Sequence, residues 1–460
     1  MPNSPDNAIR FVHENNPRFL AELSNFLKIP SISTDPDHQS DMLRAAQWLT
    51  ENMRQVGLKN IQIFTTKKHP IVFGEILNAG SQAPTILVYG HYDVQPAEPL
   101  DPWKTEPFSP AQIGDCLYAR GASDMKGQVI ATLKAVEAVL ATSRLPVNIK
   151  FLFEGEEEIG SPSLEEFLEN HKKMLYCDFV LNPDAGMVAA EIPTIVYALR
   201  GLAYFELRVF GPKHDLHSGI FGGVVHNPAQ VLCDLISAMH DEHGRVTLPG
   251  FYDNVKELST EERLELSRLP IDGKYYQIKT GVSEIWGEDA YSPAERVGAR
   301  PTLEVNGMLS GFTGKVSKTV IPSWAMAKIS TRLVQDQNPD EVNKQLRSFL
   351  ETHAPKTVHW DLISFHGGPA SISDRNLPAT QALMNALEKV WGTKPVFKRE
   401  GGSIPVVASV KRILGAESVL SGFGLPDDNA HGPNEKLELA TWKRGIDALI
   451  YFIFNIFGNL

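Results

Sequence analysis

Cysteine is scarce in this 460-residue chain. Cys116, Cys177 and Cys233 stand far apart, and an odd, sparse set supplies neither a disulfide framework nor a thiolate zinc cluster. Clustered positive charge is missing as well. No basic run exceeds two residues, as at Lys67-Lys68 and Lys172-Lys173, and the net charge is -11. Nothing here matches a polyphosphate backbone, so a nucleic-acid partner is excluded. Nor is there a long apolar run. The tail segment ALIYFIFNIF is too short to span a bilayer and follows Lys443, Arg444 and Asp447. It reads as a buried C-terminal helix, and no membrane partner is expected. The opening MPNSPDNAIRFVHENN lacks a basic stretch followed by an apolar one, so it is not expected to be a signal peptide. A cytoplasmic location follows by elimination.

What is present is an ordinary globular composition, 42% hydrophobic and 22% charged, in a chain long enough for two cores. Asp41 to Val56 has helical spacing and Gly57 as a stop. The apolar runs IVFGEIL, TILVY, VNIKFLF and DFVLN then alternate with helical segments, one of them after Asp124 and one predicted to open at Ser161-Pro162. Strands alternating with helices argue for an α/β fold with a mostly parallel sheet. From about Thr194 the texture changes to period-two strands, a helix near Pro228 to Met239, a long polar connection from Thr247 to Arg300, and further strands and a helix. This predicts an inserted α+β domain over residues 197–368, nested in a first domain made of residues 1–196 and 369–460.

The stretch FEGEEEIGS, just past VNIKFLF, sets Glu154, Glu156, Glu157 and Glu158 side by side. Carboxylates that close repel one another unless a cation joins them. TILVY likewise runs into GHYDVQP, with His91 and Asp93, and DFVLN runs into PDAG, with Asp184. Open α/β sheets bind ligands beyond the carboxyl ends of their strands, so three strand ends carry donors towards one crevice. Imidazole and carboxylate without thiolate suit zinc or a similar divalent ion in a hydrolytic site. His91 and Asp93, two apart on an extended segment, lie on one side, and the Asp93 carboxylate is placed to accept the second imidazole N–H. Taken singly, these residues read as a turn histidine and solvated acids; Asp124 reads as a helix-start acid and His431 as a loop histidine.

The ordered set GHYDVQP, ARGASDMKG, FEGEEEIGS, NPDAG and NAHGPNE resembles the M20 family of co-catalytic zinc metallopeptidases. FLKIPSIS, DLHSGIFGG, SKTVIPSW, STRLV and REGGSIP resemble it too, and the long stretch between DLHSG and TVIP resembles the carnosinase-type or cytosolic non-specific dipeptidase branch. The resemblance implies a catalytic domain of zinc-exopeptidase type with a lid and dimerisation insert. It implies two divalent ions, zinc foremost, with manganese or cobalt admitted by the same donors. His91 and Asp184 would hold one ion, Glu158 and His431 the other, and Asp124 would bridge them, with a cis peptide after it. Glu157 would be the general base, with Asp93 beside it as the second catalytic carboxylate. Glu154 and Glu156 have no assigned role and are expected to be solvated or supporting.

For the substrate, the resemblance implies His217 as an oxyanion donor and Thr319 as a contact, both reaching across a homodimer, with Arg332 and Ser403 on the free carboxylate. The expected activity is hydrolysis of dipeptides or short peptides with a free C-terminus. An N-acyl or carbamoyl amino acid hydrolase on the same scaffold is the alternative, and a non-catalytic dimeric binding protein is the alternative of a different class.

Overall fold

A computed structural model describes residues 4–402 and 404–459 of the chain. Two compact units emerge: Met1–Tyr197 with Ser373–Lys398 and Pro405–Leu460, and Ala198–Ile372 with Arg399–Ile404. The chain leaves the first unit after Tyr197, builds most of the second, returns at Ser373, and visits the second again over Arg399–Ile404.

The first unit is built on a sheet that is parallel at its centre. Strands Asn148–Glu154, Thr85–His91, Phe179–Asn182 and Glu417–Ser421 pair in that order, all parallel. Ile71–Ile76 and Lys59–Phe64 extend one flank antiparallel, and Thr194–Leu199 pairs antiparallel at the other. Every residue of Thr85–His91, Asn148–Glu154 and Phe179–Asn182 is buried. Strands covered on both faces need continuous apolar runs rather than alternation, which is why TILVY and VNIKFLF read as they do. Helix Gly127–Thr142 is buried over most of its length, and helices Pro5–Leu27 and Leu439–Asn459 pack against it. Trp442, fully buried on the last of these, donates its indole N–H to Gly127 O at 2.8 Å. Full burial of each large apolar side chain contributes about 1.5–3 kcal/mol.

Gln39–Val56 is helical and ends at Gly57 with φ 102°, as the sequence predicts. The helix expected to open at Ser161-Pro162 instead runs from Leu164 to Asn170. Ser161 has φ 53°, and its hydroxyl donates to Glu154 rather than capping a helix. Asp124 does not open a helix either. It sits in a wide turn, Ala122–Lys126, with non-helical backbone angles and a cis peptide to Met125, before the helix begins at Gly127.

The second unit holds a four-stranded antiparallel sheet in the order Thr302–Ser310, Trp324–Leu333, Gly201–Phe210, His359–Gly368. Alternation sorts its faces. Ala203, Phe205, Leu207 and Val209, with Ala325, Ala327 and Ile329, are buried against helices Pro228–Ser237 and Pro339–His353. Asn227 and Asn338 cap these helices, each with proline next in the chain. The polar connection folds into three short helices around the buried Arg300, which pairs with Glu288 at 2.9 Å and lies over the Tyr291 ring. Cys116, Cys177 and Cys233 are unpaired thiols. Among the described residues no helix is long and apolar enough to cross a membrane.

Candidate metal centre

Parallel strands bring their carboxyl ends to one edge. His91 ends its strand there, the turn with Glu157 and Glu158 follows Glu154 at the end of the next, and Asp184 lies just past Asn182. Asp124 arrives from the Ala122–Lys126 turn and His431 from a loop where it holds φ 64°. His91 Nε2 lies 3.1 Å from Asp124 Oδ1 and 3.9 Å from Asp184 Oδ2. His431 Nε2 lies 2.9 Å from Asp124 Oδ2 and 3.3 Å from Glu158 Oε2. Two donor clusters result, His91 with Asp124 and Asp184, and Asp124 with Glu158 and His431, the donor atoms of each within 4.8 Å of one another. Asp124 belongs to both and turns a different oxygen to each.

The charge at this edge is unbalanced, because five carboxylates, Asp93, Asp124, Glu157, Glu158 and Asp184, meet two imidazoles. Asp124 and Glu158 push His431 up to about 10. Burial pushes Asp184 up to about 7. Burial also drives Glu157 well above the ordinary carboxylate range; His91 opposes the shift, and Asp184 and Glu158 add to it. Protons are drawn in where positive charge is short. Gln95 donates to Glu158 Oε2 at 2.7 Å, while Glu158 Oε1 is buried with no hydrogen-bond partner among the described residues. A buried carboxylate oxygen without a donor calls for a cation. Mixed imidazole and carboxylate donors, three to a cluster, fit divalent ions with positions left open.

Asp93 organises this edge from behind. Its carboxylate accepts the backbone N–H of Glu157 at 3.3 Å and of Glu158 at 3.0 Å. His91 Nδ1 is 3.0 Å from the Asp93 carbonyl oxygen and 3.4 Å from its carboxylate, so the carbonyl is the nearer acceptor. Glu154 and Glu156 are both buried, which sets aside the solvated one of the two expected readings and agrees with the supporting one. Glu154 accepts from the hydroxyls of Tyr89 and Ser161. Glu156 accepts from the Thr66 hydroxyl, the His69 N–H, and the N–H and hydroxyl of Ser163. Of the four clustered glutamates, two face the donor clusters and two hold the turn that presents them.

Of the remaining expected site residues, His217, Thr319 and Arg332 belong to the second unit. His217 pairs with Val320 in a short antiparallel ladder, and Ser218 N–H donates to Thr319 O, so His217 and Thr319 are neighbours. His217 Nδ1 accepts the Gly219 N–H at 3.0 Å, which leaves the proton of the neutral ring on Nε2. Arg332 lies on Trp324–Leu333 opposite Leu202 and Thr302. Ser403 lies outside the described residues. Gln95, Arg120, Glu435 and Arg200 were not anticipated. Arg200 is held by Gly401 O at 3.1 Å, and burial together with the charge of Arg332 lowers it to about 10. An arginine between two apolar strands was the available signal for Arg200; the other three look like ordinary loop residues in the sequence.

A sequence model described as Peptidase family M20/M25/M40 matches residues 87–455. The Cys-Gly metallodipeptidase DUG1 of Candida albicans is 32% identical, over 95% of this chain and 94% of its own. The human Beta-Ala-His dipeptidase is 29% identical, over 98% and 92% respectively. Among solved structures, the M20 family metallo-carboxypeptidase Sso-CP2 from Sulfolobus solfataricus superposes with a TM-score of 0.85 at 35% identity, covering 96% of this chain and 99% of that one.

Proposed function

Because the chain belongs to peptidase family M20/M25/M40, we propose that it is a two-metal dipeptidase acting on short peptides with a free C-terminal carboxylate. The observation that carries this reading is Asp124, one oxygen against His91 and the other against His431. His91 and Asp184 would hold one ion, Glu158 and His431 the other, with Asp124 between them and zinc the first choice of metal. The names of the relatives point to Cys-Gly and β-Ala-His substrates, and that of the solved structure to a carboxypeptidase. Common to these is a peptide bond one residue from a terminal carboxylate.

When bound, the ions supply Lewis acidity, which acidifies water and polarises the scissile carbonyl. The rest falls to side chains. Glu157 takes the proton of the attacking water and delivers it to the leaving amine. Asp93 fixes Glu157 through its N–H and His91 through its ring. His217, with its proton on Nε2, donates to the oxyanion. Arg332 forks the substrate carboxylate, joined by Ser403, and Thr319 adds a contact.

His217 and Thr319 act, in this reading, from the partner subunit of a homodimer formed through the inserted domain. Thr302–Ser310 is a sheet edge without a second neighbour among the described residues, and Met308, Leu309 and Phe312 nearby are exposed. Such an edge is a ready surface for a second chain. Three unpaired thiols are consistent with a reducing, cytoplasmic location.

The test is metal analysis of purified protein together with a panel of dipeptides, N-acyl amino acids and N-carbamoyl amino acids. Bound divalent metal and turnover of dipeptides are expected. Turnover confined to the acylated or carbamoylated compounds would overturn the dipeptidase reading.

A further inference from the structure

We propose that Glu435 is a positioning residue that holds Asp124 and His431 together, so that ion binding at both clusters depends on a carboxylate that touches neither ion. The inference rests on the reading that Asp124 and His431 bind metal.

Glu435 is completely buried. A buried carboxylate without compensation is costly, so its partners matter. All four are donors. Oε2 accepts from Arg120 Nη1 at 2.8 Å and from Gly121 N–H at 2.8 Å. Oε1 accepts from Ser123 N–H at 3.0 Å and from Asp124 N–H at 3.0 Å. The backbone from Gly121 to Asp124 therefore curls around this carboxylate as an anion nest. Gly121 makes the curl possible, with φ 82° and Val94 Cγ1 2.6 Å from where a Cβ would sit.

The same carboxylate reaches the other cluster through Arg120. That guanidinium is buried, and its second arm donates to His431 O at 3.2 Å and Pro96 O at 3.0 Å. Glu435 O in turn accepts Ala119 N–H at 3.1 Å, which stitches the two segments along their length. Asp124 needs such a hold, because its φ of -122° and ψ of 98° interrupt a helical turn and its own side chain is drawn towards two imidazoles. His431 needs it too, since φ 64° is an unfavourable conformation for a side chain with a Cβ. One buried ion pair thus sets the separation of the shared acid and the exposed histidine before any cation arrives. An ion pair serving stability alone has no reason to spend three of its four bonds on the turn that carries the shared ligand.

Glu435→Gln tests this in the full-length protein. Its amide would turn an N–H₂ towards two of the four donors, so the cradle loses grip while the side chain keeps its size. The measurements are zinc affinity by competition with a chelator, the visible absorption spectrum of the cobalt(II)-loaded protein, melting of the metal-free protein, and kcat and KM with and without excess zinc. About 10–100-fold weaker zinc binding is expected, the usual cost of losing a group that orients a metal ligand. A changed cobalt spectrum and a lower kcat that excess zinc restores, at little-changed KM, would accompany it. Asp124→Asn serves as the reference. Wild-type affinity and spectrum in Glu435→Gln, with Asp124→Asn impaired, overturns the positioning role and leaves the metal-site reading intact. Undiminished binding in Asp124→Asn overturns both. Where Glu435→Gln does not fold, Arg120→Lys decides, since lysine keeps the charge beside Glu435 but cannot fork to the His431 carbonyl. Weakened zinc binding there supports the proposal, and wild-type binding overturns it.

Discussion

Glu157 and Glu158 are chain neighbours to which the proposed mechanism gives separate tasks, and substitution would separate them. Glu157→Gln keeps the Asp93 contact, which is to the backbone, and keeps every donor of both clusters. It is expected to bind metal as the wild type does and to lose about 10²–10⁴-fold in kcat, the usual contribution of a positioned proton carrier. Metal content and steady-state rates on one sample check this. Glu154 makes a different prediction. Burial raises it from 4.5 to about 8, with Asp93 adding and the Tyr89 and Ser161 hydroxyls opposing. The folded chain therefore holds this proton more tightly than the unfolded chain does. The stabilisation is complete below about pH 4.5, falls as pH rises, and is gone above about 8. Glu154→Gln does not titrate, so in chelator-treated protein its melting temperature should gain on the wild type from pH 5 to pH 8 and then run level. Each unit of raised pKa is worth about 1.4 kcal/mol, so the full change amounts to a few kcal/mol. At this scale His91, Glu158 and Asp184 stood out as candidate donors because each follows an apolar run, where side chains emerge at the end of a sheet; Asp124, in a non-helical turn, and His431, in a polar loop, were singled out by the resemblance. Burial was not legible: Glu154 and Glu156 read in sequence like any acid in a loop, and Glu435 gives no sign of the turn wrapped around it.

Elements were legible to the extent that their periodicity is unambiguous. Fully buried central strands announce themselves as short apolar runs, and Gly201–Phe210 and Trp324–Leu333 in the second unit alternate over part of their length. Capping signals were less dependable. Ser161-Pro162 looks like a helix start, but the demand of Glu154 for a donor draws the serine into a left-handed turn and the helix begins later. Close approach of two backbones left no trace in the pattern. Gly422 follows strand Glu417–Ser421, and a Cβ there would sit 1.6 Å from Ala185 O and 2.7 Å from Pro183 O. Those residues flank Asp184, and Met187 N–H donates to Gly424 O alongside. Gly422→Ala must therefore push the Asp184 loop away. A loss of about 1–3 kcal/mol or more is expected from the overlap, together with weaker metal retention. Thermal melting and metal analysis of the variant check both.

At the scale of the whole molecule, two changes of texture in the sequence, near Thr194 and near Pro369, are the basis for expecting an insertion, and the chain divides into two compact units with boundaries close to them. Neither periodicity nor composition indicates how many chains make one active site; only the resemblance did so. Hybrid dimers examine the point directly. His217→Ala and Glu157→Gln are each expected to be poorly active alone. Mixed, dissociated and reassociated, they should regain activity, because the subunit with an intact Glu157 then receives an intact His217 from its partner. Activity no higher than that of the separate variants would place His217 at its own subunit's site or at none.

The two histidines that contact Asp124 differ in their access to water. The His91 side chain is 1% exposed, whereas that of His431 is 56% exposed and rides on a loop. Zinc held at these positions should therefore leave at two rates, the His431 ion being the labile one. A chelator added to fully loaded protein should strip it in a fast and a slow phase, with activity following the fast one. In a cell short of zinc such a molecule would persist half-charged, dormant but folded, and would wake on the arrival of a single ion.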